Sequence, residues 1–273
     1  MKLSLQTTHI QEIPVLTLAP EEAEGCPVLF YVPGYGGNKE SGLSLGYRLA
    51  KRGFLVISFD PLWHGERFDE RLFTPHHSHY PAETGLDIGL TFYRIIAQCL
   101  DDVQTVRAHF ASDSRADVNR CGITGFSLGA YASYLVFAQV PEMLAAAPLM
   151  GIPQFSQRWH DILDECTFSN PAWATALQQV TAQTAQHTAF IEQIDPYPQL
   201  FAAAPRALLM VNGDFDTDQP KLYALNAYRK LREVYAAAAD HLRLFIPPVA
   251  HTVTPDMEQA VADWFTIHLL TNL

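Results

Sequence analysis

Ser127 is the residue in this chain best placed to do chemistry. It lies in Gly125-Phe126-Ser127-Leu128-Gly129, a G-x-S-x-G run, with strand-like residues from Val118 before it and helix-like residues to Gln139 after it. A serine on a sharp strand-to-helix turn holds its hydroxyl clear of the sheet, and flanking glycines let neighbouring backbone pass close by. The amide of Leu128 then faces the same space as the hydroxyl. Such a pairing suits attack on the carbonyl carbon of an ester or amide. The run by itself arises by chance in about one chain of this length in ten. Gly42-Leu43-Ser44-Leu45-Gly46 matches it too. That second run follows the polar Asn38-Lys39-Glu40-Ser41 and not a strand, so Ser44 is expected inside a helix reaching about Arg52, with no turn to expose it.

A serine hydroxyl attacks poorly until an imidazole takes its proton and a carboxylate fixes that imidazole. In a doubly wound sheet, loops at the carboxyl ends of the strands meet over one crevice. The strand expected at Arg206 to Val211 runs into Asn212-Gly213-Asp214-Phe215-Asp216-Thr217-Asp218, which offers three acids. The strand expected at His241 to Ile246 runs into Pro247-Pro248-Val249-Ala250-His251. Serine, then acid, then histidine is the chain order this architecture calls for. His64 is the second candidate base, with Asp60 near it in sequence. His76, His77 and His79 form H-H-x-H on a Pro-flanked stretch, which is no established ligand spacing, so a polar loop is expected and no metal.

Positioning these residues requires alternating strands and helices. Leu3 to Leu18 alternates loosely around Pro14 and reads as one or two antiparallel edge strands. Pro27 to Val32 and Phe54 to Phe59 are near-continuous apolar runs, as strands covered on both faces should be. Helical spacing follows from Leu86 to Phe110, and a short strand from Met143 to Met150. A helix is expected near Leu222 to Tyr235, and a last one opening at Thr254-Pro255-Asp256. The alternation implies right-handed crossovers and a mostly parallel sheet of about eight strands. Residues 152–200 break the pattern. They are rich in Gln, Ala and Thr, with Trp173, Leu177, Val180, Thr184, His187, Ile191 and Ile194 at helical spacing. A helical insertion is expected there, either capping the crevice or packing against the sheet edge.

The 273 residues suit one α/β domain spanning 1–273, and 48% hydrophobic against 17% charged residues excludes disorder as the default. A net charge of −11 argues against nucleic acid and acidic membranes as partners. No run reaches membrane-spanning length, and the N-terminus turns polar at once. Cys26, Cys99, Cys121 and Cys166 lack C-x-x-C spacing, which favours free thiols and a cytoplasmic protein. The oligomeric state stays open.

On these residues the chain resembles the α/β-hydrolase family over nearly its whole length. It is most similar to the small bacterial carboxylesterases grouped with dienelactone hydrolases and the catalytic domain of prolyl oligopeptidases. Besides the Ser127 run, the matching pieces are Pro33-Gly34-Tyr35-Gly36-Gly37, Asp60-Pro61-Leu62-Trp63-His64-Gly65-Glu66-Arg67, Gly213-Asp214-Phe215-Asp216 and His251-Thr252-Val253-Thr254-Pro255. The resemblance implies a triad of Ser127, Asp216 and His251, choosing Asp216 over Asp214 and Asp218. It implies oxyanion donors at the Tyr35 and Leu128 amides, although Pro33 stands where the family usually has histidine. It gives Trp63 and His64 a place near the pocket rim; Phe126 is a further pocket candidate. The expected reaction is hydrolysis of small carboxylic esters through an acyl-serine, without cofactor or metal. A peptidase or thioesterase, with no room here for a peptide-filtering propeller, and a non-catalytic ligand-binding protein are the alternatives. Serine at the elbow, where dehalogenases and epoxide hydrolases use aspartate, disfavours those chemistries.

Overall fold

The apolar runs of the sequence form the middle of an eight-stranded sheet in the order β1-β2-β4-β3-β5-β6-β7-β8. Its strands are β1 (Leu3–Ile10), β2 (Ile13–Pro20), β3 (Cys26–Val32), β4 (Leu55–Phe59), β5 (Ala116–Phe126), β6 (Met143–Leu149), β7 (Ala207–Val211) and β8 (Leu242–Phe245). The computed structural model describes residues 1–69, 82–169 and 181–270, the side chains of 82–89, 166–169 and 181–183 excepted. The first two strands pair antiparallel with each other, and β2 pairs antiparallel with β4. From β4 across to β8 every pairing is parallel. Strands β3, β4 and β7 are buried at every residue, which is why their sequences show no alternation. Of the two antiparallel strands only β1 is an edge; β2 lies between β1 and β4, and Pro14 is tolerated there because it stands near the strand's start.

Helices cover both faces. On one side α1 (Leu43–Ala50) and α8 (Pro255–Phe265) pack Leu45, Leu49, Val261 and Phe265 against Leu29 and Tyr31. On the other lie α2 (Ala82–Phe110), α3 (Leu128–Gln139) and α7 (Lys221–Val234), around a larger core. Helix α3 is buried on all sides from Leu128 to Phe137. An all-round apolar helix is stable only when covered on all sides, and here the sheet lies beneath it and α2 beside it. The segment that carries Ser127 is thus anchored in the middle of the molecule. At α8 the expected cap is present: the Met257 amide donates to Thr254 Oγ1 at 3.4 Å, with Pro255 in the first turn.

Between β6 and β7 come α4 (Phe155–Ser169), α5 (Thr181–Ile194) and the short α6 (Tyr197–Leu200). Phe155, Trp159 and Ile191 are buried in the larger core, and the Phe155 ring lies 5.2 Å from that of Tyr131 on α3. Asp195 receives the Phe155 and Ser156 amides at 3.2 and 3.1 Å, closing the start of α4. These parts of the insertion therefore buttress α2 and α3. Trp173, Leu177 and Val180 lie outside the described residues, as do His76, His77, His79 and most of the Phe68–Tyr80 loop. Among the described residues no helix is long and apolar enough to cross a membrane. Cys26, Cys99 and Cys121 are buried free thiols; the side chain of Cys166 lies outside the description.

Candidate active site

Strand β5 ends at Phe126 and α3 begins at Leu128, so Ser127 alone makes the turn. Its φ of 54° and ψ of −112° put a non-glycine residue in a sparsely populated region, at a cost of about 1–3 kcal/mol. The surroundings impose that conformation. The Ser127 amide donates to Leu149 O at 2.9 Å, and its carbonyl accepts from Ala130 N at 2.9 Å. Gly129 has no room for a side chain, because a Cβ there would lie 1.9 Å from Val32 O. The glycine of the motif is thus required by the backbone at the end of β3.

The three separated residues come together in one hydrogen-bonded line. His251 Nε2 lies 3.0 Å from Ser127 Oγ, and His251 Nδ1 lies 2.7 Å from Asp216 Oδ2. A carboxylate only accepts, so Nδ1 carries the proton and Nε2 faces the hydroxyl as an acceptor. Asp216 is buried, and its other oxygen accepts the amides of Asp218 at 3.0 Å and Gln219 at 2.8 Å. The acid loop is stitched to the histidine loop by Asp214 N to Pro247 O, 2.8 Å, and Phe215 N to Val249 O, 3.0 Å. Asp214 itself pairs with Lys221. The Phe126 ring lies against His251, centroids 4.8 Å apart.

Tyr35 and Leu128 are the residues expected to supply the oxyanion donors. Leu128 is the first residue of α3, where an amide has no partner within its helix and the helix dipole favours negative charge. Tyr35 sits in a tight turn closed by Gly37 N to Gly34 O at 2.9 Å, with Gly36 at φ 78°. Its ring meets His64 edge-on at 5.5 Å. His64 Nδ1 lies 2.8 Å from Leu62 O, and burial holds its pKa below the usual histidine value. It is His251 that reaches Ser127, while His64 supports the Tyr35 turn. Trp63, at φ 63°, packs against the larger core, as Tyr35 and Phe92 do. Ser44 lies in α1, where its hydroxyl donates to Glu258 at 3.0 Å.

One device was not read from the sequence. Lys39, 5% exposed, extends its Nζ to Asp60 Oδ2 at 3.0 Å and Glu66 Oε1 at 2.6 Å. The Lys39 amide also donates to the other Asp60 oxygen at 2.7 Å. Burial works against the ammonium charge, but the hydrogen bonds to Glu66 and Asp60 outweigh it and raise the lysine pKa. This clasp ties the Tyr35 loop to the Trp63-His64 loop. Removing one partner of a buried pair strands the other's charge, at about 3 kcal/mol or more. Lys39→Met should therefore lower the thermal midpoint by about 6 °C or more in differential scanning calorimetry. An unshifted midpoint would show the clasp to be idle.

The profile of the prolyl oligopeptidase family (Peptidase_S9) matches residues 93–269. Esterase YjfP of Escherichia coli (strain K12) is 25% identical over 277 residues, covering 98% of this chain and 100% of that protein. YitV of Bacillus subtilis (strain 168) is 23% identical over 164 residues, 59% of this chain and 60% of that protein's length. Among solved structures, TT1662 from Thermus thermophilus superposes with a TM-score of 0.70 at 21% identity, with 100% of both chains covered. A structural likeness at that identity carries the fold and no more.

Proposed function

The chain belongs to the prolyl oligopeptidase family, and on that premise we propose that it hydrolyses small carboxylic esters through an acyl-serine intermediate. The observation that carries this reading is the Ser127–His251–Asp216 line, with separations of 3.0 and 2.7 Å. His251 Nε2 takes the hydroxyl proton as Ser127 Oγ attacks the acyl carbon. Charge builds on the carbonyl oxygen, and the Tyr35 and Leu128 amides receive it; each such donor is worth roughly 3–4 kcal/mol of barrier. The intermediate collapses as His251 returns its proton to the departing alkoxide. Water then repeats the cycle on the acyl-enzyme and releases the acid. Asp216 holds the imidazole in the tautomer that both halves require.

Ester rather than peptide is supported by YjfP, a protein named an esterase that this chain matches across its length. The family's name keeps peptidase activity as the competing reading. Initial rates with p-nitrophenyl acetate, an acetyl thioester and an aminoacyl nitroanilide separate the three. The oxygen ester should be turned over fastest by at least tenfold. Faster cleavage of the anilide would transfer the assignment to a peptidase.

A further inference from the structure

A cavity of about 380 Å³ opens between the Tyr35 loop and the start of α8, and its lining includes Tyr35, Phe126, His251, Tyr31 and Glu258. Two of these residues carry polar atoms whose hydrogen-bonding capacity is not used up. Tyr31 is 7% exposed, and among the described residues its hydroxyl has no hydrogen-bond partner. Its oxygen is not sealed from solvent, so it is open to the cavity that the residue lines. Glu258 acts on the phenol through space, and burial together with that charge pushes the Tyr31 pKa up to about 12, so the hydroxyl keeps its proton. Glu258 spends one carboxylate oxygen on Ser44 at 3.0 Å and Arg48 at 2.8 Å. Its other oxygen has no partner among the described residues.

We infer that this cavity is the subsite for the leaving alcohol, and that it selects alcohols bearing further hydroxyl groups. The inference rests on the esterase reading above. The departing alkoxide must sit at His251 Nε2 to collect its proton, and His251 and Tyr35, the proposed base and an oxyanion donor, both line this cavity. Its ligand has to satisfy a protonated phenol and a carboxylate oxygen together. A hydroxyl does so, because it accepts from Tyr31 while donating to Glu258. Arg48 already balances the carboxylate charge, which favours a neutral polyol over a cation. Leu45, Leu149 and Val253, also on the lining, are apolar surface against which a carbon chain can lie.

The test compares glyceryl 1-monoacetate with propyl acetate, which share the acyl group and differ in two hydroxyls on a three-carbon alcohol. The wild-type enzyme should prefer the glyceryl ester in kcat/KM, measured by pH-stat. In Tyr31→Phe, which keeps the ring and deletes only the hydroxyl, the ratio should fall roughly fivefold. In Glu258→Gln it should fall as well. Dividing each variant's ratio by that of the wild type cancels the intrinsic reactivity of the esters. An unchanged ratio in Tyr31→Phe, with both esters still hydrolysed, would overturn the subsite and leave the esterase reading standing. If the wild-type enzyme hydrolyses neither ester, the esterase reading fails and the subsite falls with it.

Discussion

Ser127→Ala should reduce kcat on p-nitrophenyl acetate by roughly 10⁶-fold and abolish labelling by a fluorophosphonate probe. The size follows from what is lost. His251 and Asp216 are useful only through the hydroxyl at 3.0 Å, so deleting it idles all three residues at once. What survives is the binding of the ester and the two amides, which alone give a modest gain over water. Alanine can occupy the strained turn as serine does, because Ser127 N and O keep their hydrogen bonds to Leu149 and Ala130. The variant should therefore unfold at the wild-type temperature. Ser44→Ala is the matched comparison, since it alters the other G-x-S-x-G run. Among the described residues its hydroxyl serves only Glu258, on the α1 side, and the rate should stay within about twofold of wild type. Labelling that persisted in Ser127→Ala would place the nucleophile elsewhere.

The contrast between the two runs shows what was legible in the sequence. Ser127 was recognisable because a strand precedes it and because the turn demands glycine where Val32 crowds the backbone. His251 was legible for a different reason: a histidine follows the last strand, at the end of the sheet where the crevice forms. The succession of strands and helices along the chain could be read from apolar runs and helix caps. The Lys39 clasp could not. Lys39 and Asp60 stand on separate loops, and Asn38-Lys39-Glu40-Ser41 has the composition of a solvated helix start. Burial of that lysine exists only once the two loops have folded over each other. Tyr31 was hidden differently. Because both faces of β3 are covered, its residues are uniformly apolar, and nothing in the string separates Phe30 from Tyr31. The strand's twofold alternation sends Phe30 to the core around α2 and α3, and Tyr31 to the α1 and α8 side.

Choosing among the three acids was the weakest step in the sequence, and the structure makes it testable. Asp216→Asn should cost about 10⁴-fold in kcat, and the hydrogen-bond pattern says why. The side-chain oxygen opposite His251 accepts two amides, those of Asp218 at 3.0 Å and Gln219 at 2.8 Å. An asparagine has one oxygen to give, and two fixed N–H donors claim it. The amide nitrogen must then face His251 Nδ1 as a donor. That pairing makes Nδ1 an acceptor and moves the imidazole proton to Nε2, where it can no longer take the proton of Ser127. Turning the amide over would set an NH₂ against both backbone donors and destabilise the loop. Asp218 lies close enough that its carboxylate, Asp216 and His251 have ligand atoms within 4.8 Å of one another. It contributes charge near the imidazole, but Asp216 occupies the 2.7 Å position on Nδ1. Asp214 is committed to Lys221. Single-turnover rates of Asp214→Asn and Asp218→Asn should accordingly fall by less than about tenfold. A loss in Asp218→Asn comparable to that in Asp216→Asn would mean that the acid is shared between them.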